Sequence, residues 1–206
     1  MKREEKNQRT RRRILDRALA EFADKGYGGS SVNAVCAGPD VSKGIIYHYF
    51  PSKDALYLAC VEECFQQMVV YLRHALLDMK GSMAEQIEQY FSARMAFFQE
   101  NPVYRPIFCE AVMSPPAHLA AEVAARREEF DTMTAAALER LLRPLSLRPG
   151  VTVEETVELF QYFQNYANAK APAVSEGDRD GFALRDARCR KLLDILLYGV
   201  VSHPES

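Results

Sequence analysis

Residues 40–56 read DVSKGIIYHYFPSKDAL. The stretch sets a glycine, Gly44, inside a segment that otherwise reads as helix, and Pro51 stops it. Ser42 stands where a helix N-cap belongs, and Tyr47 and Tyr49 flank His48. Ile46 and Phe50 lie four residues apart and, with Val41, can anchor one face inward. Lys43 with Tyr47, and Gly44 with His48, then form neighbouring rows on another face. A short helix carrying a glycine and three aromatic or imidazole tips is a poor core element. It suits a helix that must approach something closely.

The preceding residues supply the frame. Ile14, Leu15, Ala18, Leu19, Phe22 and Ala23 follow the i, i+3, i+4 rhythm of an amphipathic helix, which Gly26 ends. Ser30 or Ser31 can cap a second, short helix bearing Val32, Val35 and Cys36, and the Gly38-Pro39-Asp40 run breaks it. Three helices with a tight break between the second and third are the ingredients of a helix-turn-helix unit, whose third helix enters the DNA major groove. In that placement Gly44 lets the backbone come close to DNA, and Lys43 supplies charge for a phosphate or a guanine edge. Tyr47, His48 and Tyr49 offer polar tips, and Ile45 can touch a thymine methyl group.

The segment RRRILDRALAEFADKGY…SSVNAVCAGPDVSKGIIYHYFPSKDAL resembles the N-terminal domain of the tetracycline-repressor (TetR/AcrR) family over roughly residues 9–58. The resemblance implies an all-helical homodimeric repressor with a ligand-binding C-terminal body. It also implies that Ser30 or Ser31 and Ser42 bind phosphates at helix N-termini. Lys43, Gly44, Ile45, Tyr47, His48 and Tyr49 would face the groove, and Lys53 would clamp the DNA backbone. Where the family carries a small residue followed by Gly before "VS", this chain has Pro39–Asp40. Asp tolerates the left-handed conformation less well than Gly, so an altered turn and operator preference are expected.

Charge supports the division. Residues 1–60 hold eleven Lys and Arg against seven Asp and Glu; the remainder holds fifteen against twenty-one. A basic N-terminal module on an acidic body suggests that one end meets a polyanion. The expected fold is all-α, with a helix-turn-helix domain over 1–56 and a larger helical effector-binding and dimerisation domain over 57–206. Further helices are expected over about 53–79, 82–100, 103–113, 117–142, 152–171 and 181–201, with no sheet.

In the body, aromatic and Met side chains interleave with scattered polar groups. Tyr90, Arg94, Phe97, Tyr104, Phe108, Met133, Phe163 and Tyr166 are the candidate wall of a pocket for a small, largely apolar effector. The competing reading of each is ordinary core. Arg94, hemmed by apolar neighbours, can pair an anion or snorkel to the surface. Residues 157–167 and 192–201 place apolar side chains around more than one face. They read as a dimer interface or as central core helices.

Five cysteines, an odd number, argue against a disulfide framework. Cys60 and Cys64 stand one turn apart, so a metal- or redox-sensing repressor is the alternative, with no full ligand set at hand. No phosphate-cradling loop, nucleophile elbow or metal cluster points to an enzyme, and no cofactor or metal is expected. His74 and His118 have no evident partner. The charged N-terminus and the lack of a long apolar run point to a cytoplasmic protein. The expected partners are double-stranded operator DNA, a small-molecule effector and a second copy of the chain.

Overall fold

A computed structural model describes residues 2–37, 41–170, 191, 194–197 and 199. Among these, α1 (Lys2–Gly29), α2 (Val32–Val35), α3 (Lys43–Tyr49) and α4 (Lys53–Asp78) come first. Next come α5 (Met83–Glu100), α6 (Tyr104–Met113), a 3-10 turn (Ala117–Leu119), α7 (Ala120–Leu142) and α8 (Val153–Lys170). The fold is all-α, a helix-turn-helix module followed by a larger helical part, and the described residues contain no β-strand. The Pro39–Asp40 turn and most of the expected 181–201 helix lie outside the described residues.

Local chemistry sets the boundaries. Ser31, Ser42 and Ser52 hydroxyls accept from the N–H groups of Ala34 (3.1 Å), Ile45 (3.3 Å) and Ala55 (3.0 Å), starting α2, α3 and α4. Reciprocal capping boxes start α5 and α8. Ser82 with Glu85 and Thr152 with Glu155 exchange side-chain and backbone hydrogen bonds. The regular run of the first helix breaks at Gly26, as its pattern suggests. Gly26 kinks it at φ 65°, ψ 176°, and a last helical turn runs on to Gly29. The kink leaves the Tyr27 N–H outside the helical ladder, and the Glu110 carboxylate of α6 accepts it at 3.0 and 3.1 Å.

The chain packs as two compact units. The first comprises Met1–Gln67 and Asn101–Glu128, the second Met68–Glu100 and Glu129–Ser206. In the first, α1 packs on α6 and on α2, and α2 on α3. Its core joins Ile14, Leu15, Leu19 and Phe22 to Ile46, Phe50, Tyr57, Phe65, Ile107 and Phe108, all buried. In the second, Ile87, Tyr90 and Phe91 of α5 pack with Leu138, Leu141 and Leu142 of α7 and Phe160 of α8. Each cluster follows the apolar stripe of its helices, so burial and not propensity holds them.

Candidate nucleic-acid interface

Three side chains hold the seven-residue helix α3 in place. Ile46 is fully buried, and Val41 and Phe50, just outside its two ends, are 4% exposed. The Arg11 guanidinium lies 5.2 Å from the Phe50 ring centre and covers it from α1. With that side fixed, Ser42, Lys43, Gly44, Ile45, Tyr47 and His48 are all turned outward. The Lys43 ammonium stands 5.9 Å over the Tyr47 ring, and His48 meets Tyr49 edge-on at 5.1 Å. A side-chain carbon at Gly44 would touch nothing within 4 Å, so the fold leaves the space beside it open. Tyr49 is half-buried, and its hydroxyl donates to Asn7 Oδ1 on α1.

The remaining candidates separate. Ser31 is exposed at the start of α2. Ser30 is 6% exposed, its hydroxyl donating to the carbonyls of Gly26 (2.5 Å) and Glu21 (3.1 Å), which ties down the kinked end of α1. Lys53 sits at the first residue of α4 with its ammonium 4.2 Å over the Tyr27 ring.

Tyr27 anchors a cluster that sequence reading did not find. Its hydroxyl donates to Asp54 Oδ1 at 2.5 Å and lies 3.2 Å from His118 Nε2, which is itself 3.6 Å from Asp54. The Tyr27 hydrogen bond holds the Asp54 carboxyl below its ordinary range. Burial, and then the Asp54 bond, push the Tyr27 phenol up to about 12. His118, expected to have no partner, is thereby corrected; His74 is exposed on α4. Tyr27 and His118 lie 91 positions apart, and no local pattern could have signalled the contact.

The effector candidates divide between the two units. Tyr90, Arg94, Phe97, Met133 and Phe163 fall in the second unit, Tyr104 and Phe108 in the first. Tyr166 is 56% exposed on α8. Arg94 does not snorkel. It is 1% exposed, its Nη2 3.4 Å from Asn165 Oδ1 and its guanidinium carbon 5.1 Å from the Phe130 ring centre. Tyr90 is fully buried, and burial raises its phenol against the opposing effect of Arg94. A surface depression lined by Lys80, Gly81, Glu85, Glu88, Gln89 and Ser92 contains none of these candidates.

Cys60 and Cys64 are fully buried, and burial pushes both thiols up, away from the thiolate that metals and oxidants need. Cys64 donates to the Tyr104 carbonyl at 3.5 Å. Their place is the core, which disfavours the sensing alternative. On α8, Leu159, Tyr162 and Tyr166 are 41%, 66% and 56% exposed, while Phe160 between them is fully buried. The helix is apolar on two sides, as its pattern suggests.

A capped three-helix module with an anchored, outward-facing third helix defines a helix-turn-helix protein. The family model of bacterial regulatory proteins, tetR family, matches residues 14–60. Over that module the chain is similar to the tetR family. It is 41% identical over 108 residues to the HTH-type transcriptional regulator UidR of Escherichia coli (strain K12), covering 52% of this chain and 55% of that one. It is 31% identical over 102 residues to the HTH-type transcriptional repressor AcnR of Corynebacterium glutamicum, covering 47% and 54%. The chain thus spans about half the length of these relatives. The fold recurs in the transcriptional regulator FadR of Bacillus subtilis in complex with stearoyl-CoA. There the TM-score is 0.69 at 17% identity, over 88% of this chain and 96% of that one. Among the described residues no helix is long and apolar enough to cross a membrane.

Proposed function

We propose that this protein is a sequence-specific DNA-binding transcriptional regulator, a homodimeric repressor that a small, largely apolar effector releases from its operator. The outward face of α3 carries the reading. Lys43, Tyr47 and His48 project from a helix whose opposite side is locked by Ile46, Val41 and Phe50, with open space at Gly44. In this role Lys43, Gly44, Ile45, Tyr47 and His48 meet base edges and nearby phosphates, and Tyr49 supports that row. Ser31, Ser42 and Lys53 contact the backbone, with Ser30 holding the turn behind them. Residues 1–56 form the reader and residues 57–206 the effector and dimerisation domain.

The paired surface is the Leu159, Tyr162 and Tyr166 face of α8 together with residues 192–201. Contiguous exposed apolar side chains of this kind mark association sites. Effector contacts fall to Tyr90, Arg94, Phe97, Met133 and Phe163, with Tyr104, Phe108 and Tyr166 as further candidates. Because α4 contributes residues to both units, a ligand favouring a tilted α4 would move the two recognition helices off the ~34–36 Å spacing of one DNA turn. A tenfold release needs only about 1.4 kcal/mol of differential affinity.

The test is selection from a random duplex library at about 0.15 M salt. An inverted repeat with half-site centres about 10 base pairs apart is expected. Recovery of no enriched motif would sink the reading.

A further inference from the structure

The basic charge of the N-terminal region lies ahead of the span that the family model matches. Residues 1–13 hold seven Lys and Arg against Glu4 and Glu5, whereas residues 14–60, the span matched by the family model, hold four basic against five acidic residues. A protein that binds duplex DNA gains most of its sequence-independent affinity by neutralising phosphates. The matched span brings no net positive charge of its own. The charge sits on the twelve residues of α1 before Ile14, which as helix extend about 18 Å, roughly five base-pair steps.

Two contacts fix where that helical segment lies. The Tyr49 hydroxyl at the end of α3 donates to Asn7, and Arg11 covers Phe50 directly after α3. The segment is therefore pinned beside the C-terminal end of the recognition helix. A helix seated in the major groove emerges there next to a phosphate wall. Lys6, Arg9 and Arg13, spaced i, i+3, i+7, lie on one face of the segment and are exposed. Arg12 is differently employed, bridging Asp16 and Glu63.

We infer that residues 2–13 are a second DNA-contacting element, a basic helical arm that grips the phosphate backbone flanking the site read by α3. Asn7 is its positioning residue. The inference rests on the DNA-binding reading of α3 and adds that the operator footprint extends beyond the base pairs that α3 reads.

The test uses the full chain and the inverted repeat recovered by library selection, in two duplexes: one trimmed to the repeat, one with ten further base pairs on each side. Wild type should bind the long duplex at least tenfold more tightly than the trimmed one at 0.1 M salt. K6Q/R9Q should erase that difference and lower the log–log salt slope on the long duplex by about 2 per protomer. N7A keeps every charge and should lose part of the same flank-dependent gain. Affinity on the trimmed duplex should change less than threefold in either variant. Equal wild-type affinity for both duplexes, or a K6Q/R9Q variant with unchanged salt slope, would overturn the arm. Wild-type failure on both duplexes would instead overturn the reading of α3.

Discussion

A methyl group at position 44 would touch nothing within 4 Å, so the protein itself gives no reason for a glycine there. Alanine is favoured in a helix interior over glycine by about 1 kcal/mol. Gly44→Ala should therefore leave the melting temperature unchanged or raise it, while weakening operator binding at least tenfold; melting curves and fluorescence anisotropy measure the two. Ile46 shows the opposite division. Fully buried, it should cost about 2–5 kcal/mol on replacement by alanine, read from chemical denaturation. The Tyr27–Asp54 bond adds a pH signature. Because the folded carboxyl of Asp54 is depressed, its contribution is present above the ordinary carboxyl value of about 4 and is lost as pH falls through the folded value. Asp54→Asn should thus lower stability slightly at pH 7, discounted for its solvent-exposed position, and by progressively less as pH falls through the folded value.

At the scale of elements, the kink of α1 and the two-sided α8 make separate predictions. Gly26 has φ 65°, and a side chain there would also meet Glu110 Oε1 at 3.1 Å. Gly26→Ala should cost about 1–3 kcal/mol by denaturant titration, because φ 65°, ψ 176° is a backbone region essentially reserved for glycine. On α8, Leu159→Glu with Tyr162→Glu should convert the proposed dimer to a folded monomer in sedimentation, since Phe160 keeps the inner side. The starts of α2 to α6 and of α8, the α3 anchors and the two faces of α8 were legible in the sequence, because caps and apolar spacing are local, whereas the run of α1 back to Lys2 carries no apolar stripe to signal it. The Tyr27–His118 and Tyr27–Glu110 contacts were not, because they join residues 91 and 83 apart that no spacing rule relates. The burial of Arg94 escaped for a related reason. A lone arginine among apolar neighbours reads as an anion partner or as a snorkelling side chain, and only its packing against Phe130 and Asn165 excludes the second.

For the whole molecule, the two jobs assigned to the chain should be separable. Arg94→Met keeps the length of the side chain and removes its charge. It should leave operator affinity within threefold of wild type while abolishing release by any compound that releases wild type from DNA, measured by anisotropy titration. Loss of operator binding in that variant would place Arg94 in the scaffold and not in the response.

The outer face of α3 as the sequence reader is tested most directly by a specificity ratio. Affinity for the selected inverted repeat is divided by affinity for a scrambled duplex of the same length at 0.15 M salt. Wild type is expected to prefer the repeat by about 10³ or more. K43A/Y47A/H48A, with its melting temperature unchanged, should bind both duplexes about equally. Retention of the wild-type ratio in that variant would contradict the assignment of the reading to α3.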